Sequence, residues 1–124
     1  MAVKRSTLAP GRCPVKPKLA ARPLLTSGEA GSLQRLFKVL ANDSRLRLLH
    51  ALVRAGELCV SDLAERVGIT QQAISNQLRR LSDAGILASR RQGLRVYYTI
   101  TDPCVPNLLE QALCLVEDFP RRRP

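Results

Sequence analysis

Leu58 to Gly85, LCVSDLAERVGITQQAISNQLRRLSDAG, is the stretch whose reading decides the fold. Leu58, Leu63 and Val67 space an apolar stripe at roughly helical intervals. Gly68 is placed to end that helix in the left-handed conformation that glycine takes without steric cost. Thr70 can then cap a second helix through its hydroxyl. In that helix Ala73, Ile74, Leu78 and Leu81 form the inward face, and Gly85 stops it. The outward face shows Gln71, Gln72, Ser75, Asn76, Arg79 and Arg80. Amides suit adenine, guanidinium suits guanine and hydroxyls serve either, while the same side chains also reach phosphates. Two short helices about a glycine turn, the second polar and basic outside, make the helix-turn-helix pattern. An ordinary helical hairpin with a solvated face fits these residues too, and the segment after Gly85 separates the two.

Leu87 to Ile100, LASRRQGLRVYYTI, reads as two strands. Val96, Tyr98 and Ile100 alternate with Arg95, Tyr97 and Thr99, the period of a half-buried strand. Gln92-Gly93 supplies the turn, flanked by Arg90, Arg91 and Arg95. A hairpin with a basic tip directly after a basic second helix is a wing. The fold class is therefore mainly α with a small β-hairpin, a winged helix-turn-helix, with Gln71, Gln72, Ser75, Asn76, Arg79, Arg80, Arg90, Arg91 and Arg95 as the expected DNA-binding set.

On the N-terminal side, Leu33, Leu36, Phe37 and Leu40 give one apolar helical face after Gly31 opens the folded part. Asn42-Asp43-Ser44 breaks that helix, and Asp43 or Ser44 can cap the next. This next helix, Arg45 to Val53, carries Leu46, Leu49, Leu52 and Val53 as apolar positions and ends at Gly56. His50, the only histidine, sits on a leucine-rich helix and reads as structural. Residues 1–27 form a basic, proline-containing arm that Pro10, Pro14, Pro17 and Pro23 keep from being a regular helix; it is expected to be mobile. Residues 28–119 form the DNA-binding and dimerisation domain, and residues 120–124 a basic tail after Pro120 stops the last helix. That helix is expected to start near Pro106, after an Asp102-Pro103 cap. Leu108, Leu109, Ala112, Leu113, Leu115 and Val116 give it an apolar face too broad for one small core, which suggests a second subunit. Leu36, Leu40, Leu109, Leu113 and Val116 are the expected interface.

Composition bounds the function. The 124 residues suit one domain, whose core is aliphatic because aromatics are 3% of a chain that is 45% hydrophobic. The net charge of +10 calls for an anionic partner, most simply nucleic acid. No apolar run approaches the ~20 residues of a spanning helix, so no membrane partner is expected. No signal peptide is visible. The expected location is the cytoplasm, where four cysteines are reduced thiols rather than disulfides. No nucleophile has a base beside it and no glycine-rich phosphate loop is present, so an enzyme is not expected.

The order of helix, helix, helix-turn-helix, basic hairpin and helix resembles the arsenic- and zinc-responsive (ArsR/SmtB) family of winged-helix repressors. The resemblance rests on Leu40-Ala41-Asn42-Asp43-Ser44-Arg45-Leu46-Arg47-Leu48-Leu49, on Glu57-Leu58-Cys59-Val60-Ser61-Asp62-Leu63-Ala64, on Gln72-Ala73-Ile74-Ser75-Asn76-Gln77-Leu78 and on Arg95-Val96-Tyr97-Tyr98. It implies a homodimer built on the first and last helices, a palindromic double-stranded DNA operator, and release when an inducer binds. Cadmium- and arsenic-type members carry two cysteines where this chain has Cys59-Val60-Ser61, so Cys59 fits the first and Ser61 replaces the second. Zinc-type members carry a histidine-rich last helix. Here Asp102 is kept, Cys104 stands where a histidine is common, and the downstream histidine is missing.

The resemblance makes Cys59 and Cys104 the first metal-ligand candidates, followed by Cys114 and then Cys13, whose arm would fold over Cys59 as it does in cadmium-type relatives. Cys104 and Cys114 stand about 15 Å apart along a helix, so their sulfurs would meet only across a dimer. Thiolates select soft ions: mercury(II) first, then arsenite, cadmium or copper(I). Two other readings stay open: a thiol-redox or persulfide-sensing repressor of the same fold, and a non-specific basic nucleic-acid-binding protein, since phosphate contacts alone carry no sequence information.

Overall fold

The computed structural model describes residues 15–122, with side chains to residue 118. Residues 1–14, Cys13 among them, lie outside the described residues. Residues 15–26 are exposed and hold a single 3-10 turn at Leu19–Ala21. The elements that follow are α1 (Ser27–Leu40), α2 (Asp43–Ala55), β1 (Leu58–Cys59), α3 (Val60–Val67), α4 (Gln71–Asp83), β2 (Leu87–Gln92), β3 (Arg95–Ile100) and α5 (Cys104–Arg122). This is a mainly helical winged fold with a small antiparallel sheet in the order β1-β3-β2.

Helix α1 starts ahead of Gly31. Thr26 and Glu29 form a capping box, in which the Thr26 hydroxyl accepts from the Glu29 amide at 3.1 Å and the Glu29 carboxylate accepts from the Thr26 amide at 2.9 Å. The glycines at 28 and 31 hide this start, because each lowers local helix propensity. Helix α2 is capped by Asn42, whose side chain accepts from the Arg45 amide at 3.0 Å, rather than by Asp43 or Ser44. Its buried stripe is Arg45, Leu48, Leu49 and Leu52, while Leu46 and Val53 face outward.

Leu58-Cys59 was expected to begin a helix and is instead a two-residue strand, paired Leu58 to Tyr98 and Cys59 to Tyr97. Helix α3 follows with Cys59 as its N-cap residue, and Gly68 ends it at φ 83°. The Thr70 hydroxyl caps α4 by accepting from the Ala73 amide at 3.1 Å. The hairpin register closes Gln92 on Arg95, so Gly93-Leu94 make the turn, with Gly93 at φ 63°. Thr99, opposite Ala88 of β2, is buried, contrary to simple alternation. The core is aliphatic and centred on Leu48, Leu49, Leu52, Leu63, Ile74, Leu78 and Leu81. Helix α5 starts at Cys104 and runs through Pro120 to Arg122. Pro120, expected to stop the helix, lacks the amide hydrogen for one helical bond but does not end α5.

The buried guanidinium of Arg45 ties three helices together. Its Nε donates to the Val39 carbonyl at 2.6 Å and an Nη donates to Gln77 Oε1 at 2.8 Å. The end of α1 is thereby fixed to α2 and to the middle of α4. Arg45→Ala strands that carbonyl and the Gln77 amide, and each buried polar group left unpaired costs about 1–3 kcal/mol. We expect a clear drop in the thermal midpoint. Gln77→Ala in the Arg45→Ala background should add little to it, as a double-mutant cycle would show.

Candidate nucleic-acid interface and thiol sites

On α4 the inward residues Ile74, Leu78 and Leu81 are fully buried, and this fixes the rotation of the helix. Gln71, Gln72, Asn76, Arg79 and Arg80 are consequently exposed, with Ser75 half-buried at their edge. This gives one continuous face of amides and guanidiniums, the donor and acceptor set that reads base edges and holds phosphates. Arg79 and Arg80 lie toward the C-terminal half, and Gln71 and Gln72 open the helix.

The wing arginines divide. Arg91 and Arg95 are exposed. Arg90 is committed to the protein. Its Nε and Nη2 each donate to Glu57 at 2.7 Å, a two-point ion pair with a largely buried carboxylate. Nη1 donates to Gln92 at 2.7 Å, and the guanidinium lies 4.9 Å from the centroid of the opposing Tyr97 ring. The hydrogen bonds to Glu57 raise the Arg90 pKa above its ordinary value. Arg90 therefore fastens the base of the wing to the segment before β1. Glu57 was missed in the sequence because its partner is remote in the chain and no local spacing marks it.

Arg95 also faces inward at one atom. Its Nη1 lies 3.9 Å from Cys59 Sγ, and the charge interaction with Cys59 is the first cause of its raised pKa. Cys59 is buried where β1 meets α3. Its Sγ lies 3.3 Å from Ser61 Oγ and donates to Asp62 Oδ2 at 3.3 Å. The structure thus brings together two residues assigned to different tasks, a candidate sensor sulfur and a candidate DNA contact. Asp62 was not foreseen as a partner of that sulfur.

Cys104 is half-buried at the start of α5, where its amide donates to Asp102 Oδ1 at 2.8 Å, and Cys114 is exposed one face further along. Among the described residues, Cys59, Cys104 and Cys114 are not joined in disulfides. Among the described residues, no three of the His, Cys, Asp and Glu side chains of a single chain are grouped to hold a metal ion. His50 is exposed on α2 rather than packed in the core.

The five interface candidates also divide. Leu40 is buried within the protomer, and Leu36 and Leu109 pack partly against its core. Leu113 and Val116 remain exposed, joined by Leu33 and Phe37 on α1 and by Leu115. Among the described residues neither α1 nor α5 packs broadly on another element, and no helix is long and apolar enough to cross a membrane.

Residues 42–89 match the sequence profile described as bacterial regulatory protein, arsR family. The cadmium resistance transcriptional regulatory protein CadC of Listeria innocua is 33% identical over 98 residues, 79% of this chain and 82% of that protein. The crystal structure of AntR, an antimony-specific transcriptional repressor, superimposes with a TM-score of 0.74 at 56% identity, over 90% of this chain and 100% of that one. The solution structure of a homodimeric winged helix-turn-helix DNA-binding domain from Mycobacterium bovis superimposes with a TM-score of 0.68 at 27% identity, over 82% of this chain and 93% of that one.

Proposed function

The chain belongs to the ArsR family of bacterial regulatory proteins, transcriptional regulators rather than enzymes, and from that premise we propose that it is a homodimeric repressor released from a palindromic operator by a thiophilic metal or metalloid ion. The observation that carries the reading is the position of Cys59. Its sulfur sits at the joint of the helix-turn-helix and the wing, within hydrogen-bonding reach of Ser61 and Asp62 and beside Arg95. A soft ion drawn to that sulfur perturbs both DNA-reading elements at once.

The donor set fits a soft ion. Sulfur is the available donor, and sulfur ligands select soft ions. One chain does not group three ligands among its described residues. The site we propose is therefore shared: Cys59 and Cys104 as principal ligands, Cys114 entering across the dimer, Cys13 arriving from the N-terminal arm. The 56% likeness to an antimony-specific repressor supports trivalent antimony or arsenic ahead of mercury(II), cadmium and copper(I). Release requires the ion to bind one dimer shape more tightly than the DNA-bound shape, since only a difference in affinity shifts the equilibrium. Metal stoichiometry of the reduced protein, together with operator release for each Cys→Ser variant, tests the assignment.

The dimer reading is supported by the exposed apolar faces of α1 and α5 and by the homodimeric neighbour. Two recognition helices about 34 Å apart would enter successive major grooves. Gln72, Ser75 and Asn76 then touch bases while Arg79, Arg80 and Arg91 hold phosphates. Asn76→Ala is expected to relax specificity by about 1–3 kcal/mol at one base pair. Arg91→Ala should weaken all sequences alike and reduce the salt slope by about one. Binding measured on operator and scrambled DNA at several salt concentrations checks both, and equal affinity of the parent protein for the two DNAs favours the non-specific reading. The thiol of Cys59 also keeps a second reading open, because a cysteine at such a joint can signal by oxidation as well as by metal binding. Peroxide treatment in chelated buffer, against metalloid under reduction, separates them.

A further inference from the structure

We propose that the cleft between α2 and α3 is a binding site for a phosphate-class oxyanion. It is lined by Arg47, His50, Ala51 and Arg54 from α2 and by Arg66 and Val67 from α3, has a volume of about 290 Å³ and is open to solvent on one side. The four α2 residues follow i, i+3, i+4, i+7 and so share one face. Three guanidiniums and an imidazole thus rim a concavity whose wall is the small apolar pair Ala51 and Val67.

The cluster needs a reason. Arg54 and Arg66 stand in the last turns of α2 and α3, where a cation complements the helix dipole. That accounts for two of the four groups and leaves Arg47 and His50. Arg45 and Arg90 are spent on partners within the protein, Arg45 on Val39 and Gln77 and Arg90 on Glu57 and Gln92, while Arg79, Arg80 and Arg91 are exposed on the DNA-reading face. Among the described residues Arg47, His50, Arg54 and Arg66 have no hydrogen-bond or ion-pair partner. A cleft lined by three arginines and no carboxylate suits the oxygens of a phosphate, which accept bidentate pairs from guanidinium groups. The volume lies at the small end of ligand sites and suits an orthophosphate or pyrophosphate group. The group has two sources, a free phosphorylated compound or the phosphodiester backbone of DNA beside the operator. The proposal stands on the cleft itself and is independent of the sulfur site.

The full chain is titrated with inorganic pyrophosphate by calorimetry at constant ionic strength, and with operator DNA across a salt series. Arg47→Ser/Arg54→Ser is compared with Arg35→Ser/Lys38→Ser, which removes the same charge from α1. We expect the cleft variant to weaken pyrophosphate binding by about tenfold or more, the loss of one or more charge-assisted contacts, and the α1 variant to leave it within about twofold. If the cleft variant also lowers the operator salt slope by about one or more relative to the α1 variant, the phosphate is that of DNA, and this holds even where pyrophosphate itself does not bind. An unchanged slope with lost pyrophosphate binding assigns the cleft to a free compound. Equal effects of the two variants on both titrations, or no effect on either, overturn the proposal. Release of operator by antimonite, measured on the same proteins, reads the sulfur site separately.

Discussion

Cys59→Ser protein is expected to stay on its operator at concentrations of antimonite or arsenite that release the parent. The substitution keeps the size of the side chain and a hydroxyl that can take over the contacts to Ser61 and Asp62. Folding and operator affinity without the ion should therefore change little. What is lost is the soft donor at the joint of β1 and α3. Coupling between an effector and DNA is typically about 5–150-fold in affinity, and the variant should keep less than about twofold of it. Fluorescence anisotropy on labelled operator, with and without the ion under reduction, measures both values. Cys104→Ser should lose the response in the same way, Cys114→Ser less completely, and Cys13→Ser should only raise the concentration needed. A Cys59→Ser/Cys104→Ser protein that still releases normally would place the inducer site elsewhere.

Leu113→Glu is expected to abolish the dimer. Leu113 is 58% exposed in the single chain, so the carboxylate does no harm to the protomer and secondary structure by circular dichroism should be unchanged. In a twofold-symmetric interface the substitution appears twice, and an unpaired carboxylate is costly to bury. Light scattering should then report a monomer. A monomer reads one half-site, and losing the second, tethered contact lowers operator affinity by about 10²–10⁴. A normal dimer from this variant would move the interface away from the Leu33, Phe37, Leu113 and Val116 faces.

The parts of the fold that were legible in the sequence are those decided by neighbours in the chain. Gly68 and Thr70 mark the turn of the helix-turn-helix through local backbone requirements, and the structure has both in those roles. The outward rotation of Gln71, Gln72, Asn76, Arg79 and Arg80 follows from the 3.6-residue period alone. Even so, a one-residue offset separates Asn42 from the caps that spacing suggested, because Asn, Asp and Ser compete equally for that position. The parts that were not legible depend on remote partners. Leu58-Cys59 is a strand only because β3 offers it an edge. Arg90 reads as a wing-tip cation until Glu57 is seen to hold it, and Arg95 reads as a DNA contact until Cys59 is found beside it. Leu40 looks like an interface residue on a helical wheel, yet the protomer already buries it, while Leu33 and Phe37 on the neighbouring stripe stay uncovered.

The central place of β3 has a consequence for how the chain reaches this form. β2 and β3 are joined by a two-residue turn and can meet within microseconds, but a lone two-stranded hairpin is marginal in water. The third strand, β1, precedes both helices of the helix-turn-helix, so its pairing with β3 must close the entire loop between them. We expect the wing to gain its lasting order together with the packing of α3 and α4, which lie in that loop. A nascent chain that has emerged as far as Asp83 holds the recognition helix without the strand that completes its sheet. On this topology the recognition helix and the wing are expected to mature as one unit, which hydrogen exchange pulse-labelled during refolding would show as a shared protection time.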